Sequence, residues 1–351
     1  MSDQSPSLLR IARDSAAHAP PGRLHRVLGV TFGIAVAVGN SIAAGILRAP
    51  GEVAGFLPYA GLFLGVWAAG GIYALISAMQ LAELGALVPR SGGQYVFARR
   101  AIGPYAGFIV GWSDWLSTCG TISAISIVIG EYLGDLFPGL VGFTSRIAIA
   151  VAILFALLQW RGVKWGERAQ EITSLLKGLV FAVVVAGCFL LGGTTNVAST
   201  AAAAPHMPLA VAVVLALQAV IYTYDGWNGP VYFSEEMRNP GREIPRALFG
   251  SVLSIMGIYL LVNAALVYVL PVSRMAGDNF ALGTAAAIFL GPMGRKLVLA
   301  LMVVSLLSAV NANTLMATRV LFAVSRDGLV NRRAAQVNPG GTPTISLLAG
   351  T

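Results

Sequence analysis

Two apolar stretches, each long enough to cross a bilayer, are interrupted at their centres by residues that suit no continuous helix. They fall at corresponding places in two halves of the chain. The first interruption is Val38-Gly39-Asn40-Ser41-Ile42-Ala43-Ala44-Gly45, leading to Pro50-Gly51, and the second is Tyr222-Thr223-Tyr224-Asp225-Gly226-Trp227-Asn228-Gly229-Pro230. Lipid offers no partner to freed backbone N–H and C=O groups, so unwound backbone survives in a membrane only where it lines a protein-enclosed site. A paired interruption of this kind is the pattern expected where a small molecule binds between two halves of a helical membrane protein.

Composition requires the bilayer independently of any motif. Hydrophobic residues make up 56% of the 351 positions and charged residues 11%, and the mean hydropathy is +0.76. That leaves too little polar surface to cover a water-soluble molecule of this size. The net charge of +8 does not signal nucleic acid, because Lys and Arg sit in short clusters between apolar spans and form no basic face with interleaved aromatics. Cys119 and Cys188 both lie inside apolar spans, so they read as packing residues and no disulfide framework is expected. The N-terminus carries Arg10, Arg13, Arg23 and Arg26 without an early apolar stretch or a small-residue cleavage site, so a removable signal peptide is not expected.

Apolar windows of about twenty residues predict an all-α polytopic membrane protein with spans near residues 27–49, 59–87, 103–133, 145–161, 170–193, 209–235, 246–270 and 295–324. A ninth begins at Pro343 and is cut off at Thr351, as in a fragment or an unusual terminus. Short polar links make residues 1–351 one transmembrane domain. With the N-terminus on the cytoplasmic side, that side receives its four arginines plus Arg90, Arg99, Arg100, Arg161, Lys164, Arg168, Arg238, Arg242, Arg246, Arg319, Arg326, Arg332 and Arg333. The opposite side receives Arg48, Arg146, Arg274, Arg295 and Lys296. An excess of about three to one fits the positive-inside rule and places a multi-pass protein in the plasma or inner membrane.

A helix that stops in mid-membrane leaves carbonyls unpaired on one side of the gap and amides unpaired on the other. These ends carry partial negative and positive charge, matching the ammonium and carboxylate of an α-amino acid without any charged side chain. Gly39 and Gly45 are expected to let the backbone leave helical angles, and Ala43 and Ala44 to leave room for a ligand. Small residues also serve close helix packing; the pairing of two interruptions favours the site.

The motifs around both breaks carry a family resemblance. Ile42-Ala43-Ala44-Gly45-Ile46-Leu47 followed by Pro50-Gly51 resembles the first-helix signature of the amino acid, polyamine and organocation permease superfamily. Ala82-Glu83-Leu84-Gly85 and Pro89-Arg90-Ser91-Gly92-Gly93-Gln94-Tyr95 are similar to its second helix and the following loop. Tyr222 to Asn228, Ser234-Glu235-Glu236-Met237-Arg238-Asn239-Pro240 and Ile244-Pro245-Arg246-Ala247 resemble its sixth helix and the loop into the seventh. Ser325-Arg326-Asp327-Gly328 resembles the end of its eighth.

The resemblance implies an inverted five-helix-repeat transporter fold with discontinuous helices 1 and 6 and alternating access to a central site. Here the first repeat would cover residues 27–193 and a second, C-terminally incomplete repeat residues 209–351. It implies a permease for amino acids or related amines, coupled to protons or working by exchange, with neither cofactor nor metal. Substrate would meet Ser41, Ile42, Ala43, Ala44, Gly45, Tyr222, Asp225, Gly226 and Trp227. The amides of Ala44 and Gly45 would take the carboxylate, the carbonyls of Ser41, Tyr222 and Asp225 the ammonium, and Tyr222 would be the aromatic gate. Ala43 and Leu47 replace the family's usual glycine and phenylalanine, which alters pocket shape more than function.

Lys177 is expected about seven residues into the fifth span, on the order of 10 Å deep, where an ammonium is costly unless paired or wet. It either snorkels to the interface or, as the resemblance implies, stands where related proteins bind sodium and bridges the fifth helix to the broken first. Asp114 is expected at a similar depth on the third span and is a candidate partner for Lys177; the two form the expected coupling pair. Asp225 could neutralise a cationic ligand group, but a helix cap is the preferred reading. Glu83 is expected to anchor the Arg90 loop, Glu235 and Glu236 to pair with nearby arginines, and Asn311 and Asn313 to bond between helices.

Two other function classes compete with a permease. A membrane enzyme would need a metal cluster or an activated nucleophile, yet His18, His25 and His206 lie outside the spans and neither cysteine has a neighbouring histidine. A non-transporting substrate sensor of the same fold is the remaining alternative. The loop from Glu131 to Ser145 lacks cysteine, so no disulfide-linked heavy chain is expected.

Overall fold

The computed structural model describes residues 24–43, 45–192 and 207–351, apart from the side chain of Phe289. Arg10, Arg13, Arg23, His18, His206 and Ala44, used above, lie outside the described residues. Regular structure among the described residues is helical, apart from isolated bridges joining Leu28 to Met237 and Val337 to Pro343. In chain order the helices are α1 (Val30–Ser41), α2 (Gly45–Phe56), α3 (Ala60–Leu87), α4 (Gln94–Ala101), α5 (Pro104–Leu136), α6 (Thr144–Trp160) and α7 (Val163–Leu191). There follow α8 (Leu209–Tyr224), a 3-10 turn (Gly229–Phe233), α9 (Pro240–Val269), α10 (Val272–Met275), α11 (Ala281–Leu290), α12 (Pro292–Arg326) and α13 (Thr344–Ala349).

All eight expected spans are helical, and a multi-pass membrane protein results. Among the described residues six helices are long and apolar enough to cross a bilayer, α1 and α2 together make a seventh bent by 49°, and α6 is a shorter apolar helix. Helices α5, α9 and α12 begin with Pro104, Pro240 and Pro292, where the missing N–H has no intrahelical acceptor to lose. The fifth span starts at Val163 instead of 170, because Lys164, Glu167, Arg168 and Glu171 disguise its first turns from an apolar window. The chain also continues helically through Pro50 to Phe56, where the sequence suggested a stop. Helices α4, α10 and α11 escaped the sequence reading, since none presents a twenty-residue apolar run.

Helix α12 is the hub. Its apolar window is 78% buried, against 28–44% for the other long spans, and it packs on α1, α5, α6, α7 and α11. Such an element can carry hydrogen-bonding side chains all round, because every face meets protein. The outer faces of α3, α6 and α7 instead expose Ile72, Met79, Ile153, Leu157, Leu179 and Leu190, the side chains expected against lipid tails. The two breaks lie next to one another around α12, α9 and α7.

Candidate functional site

At the first break α1 ends at Ser41, Ile42 adopts φ −82° and ψ 76°, and α2 starts at Gly45. Side chains from three other helices meet carbonyls of α1 and of the break itself. On α7, Gln170, Ser174 and Lys177 are spaced i, i+4 and i+7 and therefore share a face. Gln170 Nε2 donates to Ala35 O at 3.0 Å and Ser174 Oγ to the same oxygen at 2.8 Å. Lys177 Nζ donates to Gly39 O at 2.9 Å and to Ile42 O at 2.6 Å. From α12, Ser305 Oγ adds 2.6 Å to Ile42 O.

Lys177 is fully buried, so it does not snorkel. It stands 14 residues from the start of α7, about 21 Å at 1.5 Å per residue, twice the expected depth. Asp114 lies 10 residues into α5 and is bonded elsewhere, so the two coupling candidates do not pair; no ion pair among the described residues joins them.

Tyr259 of α9, which the sequence reading missed, links the two breaks. Its hydroxyl lies 2.7 Å from Ser41 O and 2.9 Å from Thr223 O. A phenol has one proton to give, so that proton is shared between the carbonyl ends of both broken helices. The signal was available only as a polar group in mid-span, and a tyrosine among apolar residues reads as core. Trp67 and Tyr224 hold the ring by edge contacts.

At the second break α8 stops at Tyr224, Asp225 turns extended at φ −56° and ψ 148°, and the chain resumes as the 3-10 turn. Gly226 has φ +106°, and a Cβ there would sit 2.7 Å from Asn40 Nδ2 and 3.0 Å from Ser41 N. It thus supplies both the left-handed turn and the close approach to the first break. Gly39 and Gly45, expected to do this, have no positive φ. Gly39 is helical with Gln170 packed where its Cβ would be, and a Cβ on Gly45 would lie 3.2 Å from Thr223 Cγ2. Their smallness serves helix contact. The capping role of Asp225 does not appear either: among the described residues its carboxylate makes no hydrogen bond or ion pair, and the 3-10 turn starts at Asn228 without a side-chain cap.

Between the breaks lies a cavity of about 440 Å³ lined by Asn40, Ser41, Ala43, Gly45, Gln94, Asp114, Ser117, Thr118, Thr121, Tyr222, Thr223, Asp225, Gly226, Asn228, Tyr232 and Asn313, with Ala124, Ile125 and Met316. Of the substrate residues expected from sequence, Ser41, Ala43, Gly45, Tyr222, Asp225 and Gly226 line it. Ile42 turns its side chain into the apolar core. Trp227 lines a neighbouring cavity with Tyr73 and Tyr224 instead, because the left-handed Gly226 turns the chain between Asp225 and Trp227.

The Ser41 carbonyl already accepts from Tyr259 and from Ala43 N at 2.9 Å, and that of Tyr222 accepts from Asp225 N at 3.2 Å. The buried Ser41 Oγ has no partner among the described residues. Asp114 accepts at both oxygens from the buried Tyr232 hydroxyl, at 3.1 and 3.0 Å. Asn313 Nδ2 donates to Asn40 Oδ1 at 2.7 Å, while Asn311 joins α12 to Gln159 and Gln170 as interhelical glue. Tyr222 is 80% exposed and borders a second cavity with Arg48 and Glu52, so its ring is not folded over the site.

The polar loops converge on one face of the bundle. Arg319 and Glu236 form a fully buried bidentate pair at 3.0 and 2.9 Å, and Arg326 meets Glu235 at 2.8 Å. Asp327 accepts from Arg90, Arg99 and Tyr95. Arg90 therefore binds Asp327, not Glu83, which has no ion pair among the described residues. Leu28 N donates to Glu236 O and Arg238 N to Leu28 O, sealing the approach to α1 against this face. Sequence motifs 82–95, 234–246 and 325–328 thus meet in one charged network.

Residues 26–351 match the family described as amino acid permease. The chain belongs to that family. It is 27% identical over 311 residues to the serine/threonine exchanger SteT of Bacillus subtilis (strain 168), covering 88% of this chain and 70% of that one. It is 29% identical over 316 residues to the b(0,+)-type amino acid transporter 1 of Homo sapiens, covering 87% and 64%. With the large neutral amino acids transporter small subunit 2 of Mus musculus it shares 30% over 318 residues, covering 87% and 59%. This permease-family chain thus spans about two thirds of the length of these relatives. Its fold resembles that of Mhp1, a nucleobase-cation-symport-1 family transporter, in a closed conformation with bromovinylhydantoin bound, at TM-score 0.64 and 16% identity over 96% of this chain and 73% of the other.

Proposed function

We propose that this protein is a secondary transporter of amino acids or related amines that works by alternating access at the cavity between the two broken helices. The observation that carries the reading is Tyr259: one hydroxyl holds the carbonyl ends of both breaks beside a polar, half-open hollow. A zwitterion fits its polarity. The unpaired amides that open α2 at Gly45 would receive the carboxylate, with Ser41 Oγ as a further donor. The Asp225 carbonyl, free of any backbone donor among the described residues, would receive the ammonium.

Lys177 in this reading is the side chain that ties α1 to α7, so the two helices move relative to one another only when its bonds to Gly39 and Ile42 break. The arginine-rich face is cytoplasmic in the plasma or inner membrane, as the cation bias favours, and its buried Arg319–Glu236 pair closes that side. Residues 27–193 and 209–351 form the two repeats of the cycle. The similarity to a serine/threonine exchanger favours exchange over proton coupling.

Proteoliposomes containing the full-length protein test this. Labelled amino acids should enter vesicles preloaded with unlabelled amino acid and enter empty vesicles poorly; a pH gradient that replaces the need for preloading would establish proton coupling instead. Absence of uptake, exchange or binding of any amino acid or amine would sink the proposal, whereas binding without movement would identify a sensor.

A further inference from the structure

The cavity wall contains two carboxylates, Asp114 and Asp225, and no lysine, arginine or histidine among its described lining residues. Several nearby donors are engaged elsewhere, while Gln94, Ser117 and Asn228 also stand in the wall. Thr118 Oγ1 donates to the backbone oxygen of Asp114 at 2.7 Å and Thr121 Oγ1 to Ser117 O at 2.9 Å. The Asn313 amide donates to Asn40 Oδ1 and Ala309 O. Lys177 does not line the cavity, and its ammonium is bound to the Gly39 and Ile42 carbonyls. Asp114 keeps the Tyr232 proton, shared between its two oxygens, with the Thr118 hydroxyl beside it, and Asp225 has no hydrogen-bond or ion-pair partner among the described residues.

Asp225 is exposed to the cavity and Asp114 is half-buried, and two carboxylates without a basic neighbour make such a hollow favourable for a cation. A neutral amino acid supplies no net charge, because its ammonium and carboxylate cancel each other and are met by the backbone ends of the breaks. A second positive group on the same ligand would offset one of the two negative charges. The buried Ser41 Oγ, without a partner among the described residues, belongs to the same wall and is a candidate donor for the α-carboxylate. We infer that the cavity selects α-amino acids with a cationic side chain, whose distal ammonium or guanidinium is held by Asp114 and Asp225, with Tyr232 fixing the Asp114 carboxylate. This rests on the transport reading above and adds to it the class of cargo.

Lysine and norleucine have the same carbon skeleton and differ in the terminal ammonium, so their affinity ratio isolates the acidic subsite. The full-length protein in lipid nanodiscs, with tritiated lysine displaced by unlabelled lysine or norleucine, should bind lysine at least tenfold more tightly, as a charge-assisted contact implies. Asp225→Asn or Asp114→Asn should shrink that ratio about tenfold, and Asp225→Glu should restore much of it. The wild-type ratio decides the matter even where a variant fails to fold. Norleucine binding as tightly as lysine would mean that solvent ions or protons neutralise the acids; that result, or a ratio unchanged in both Asn variants, overturns the inference and leaves the carrier reading standing. If no amino acid binds or exchanges, both fall.

Discussion

The first break is held and the second is loose. Around Ile42, three carbonyls of the α1 end accept donors from Lys177, Ser305 and Tyr259, so helices α7, α9 and α12 all grip the same few residues. Around Asp225 the chain depends on the left-handed Gly226 and on the half-share of the Tyr259 proton taken by Thr223, while the Asp225 carboxylate has no partner among the described residues. One break is thus built as an anchor whose geometry depends on buried donors. The other presents free groups to the hollow. A binding site between moving helices needs both, since a ligand can draw two elements together only if at least one offers groups that lack partners.

The largest effect is expected where the flanks of both breaks share one support. Glu236 follows the second break and its backbone holds Leu28 ahead of the first. Arg319→Met strands the fully buried Glu236 carboxylate and should cost about 3–5 kcal/mol, read as a lower Tm in detergent. Arg319→Met combined with Glu236→Leu should recover part of that loss, and no recovery would show that the pair does more than satisfy charge.

Lys177→Met comes next. It leaves Gly39 O without its side-chain donor and Ile42 O with Ser305 alone, a net loss of about 1–3 kcal/mol, with exchange reduced more than tenfold. A variant that exchanges normally would remove the distinction between a held break and a loose one. Gly226→Val tests the second break by placing a branched side chain at φ +106°, costing about 1–2 kcal/mol besides its overlap with Asn40; substrate binding should suffer more than thermal stability. Tyr259→Phe should have the smallest effect on stability, about 1 kcal/mol, yet weaken binding of any ligand, because it uncouples the two breaks. Stability falling further than binding would mark Tyr259 as packing only.

Much of this was legible in the chain itself. Both interruptions and the eight spans follow from apolar length and small-residue punctuation, which are local properties. The roles of individual residues were less legible. Gly39 and Gly45 looked like hinges and proved to be close contacts, Asp225 looked like a cap and caps nothing, and Asp114 looked like a partner for Lys177 and belongs to Tyr232. Each error has one origin: the rotation of a helix about its axis and the depth of its true first turn are set by neighbours the sequence does not identify. Tyr259 was invisible for the same reason, since nothing local separates a core phenol from one that bridges two breaks.

Composition and apolar periodicity by themselves determined that this protein crosses a membrane many times and that two of its crossings are broken, because in lipid the backbone has few alternatives to helix. Only the tertiary structure decided which carbonyls at those breaks are filled, which carboxylates stay free, and that one hydroxyl joins the two. Those outcomes depend on donors brought from α7, α9 and α12, separated from the first break by 135 to 263 residues of chain, and no local pattern encodes a contact of that range.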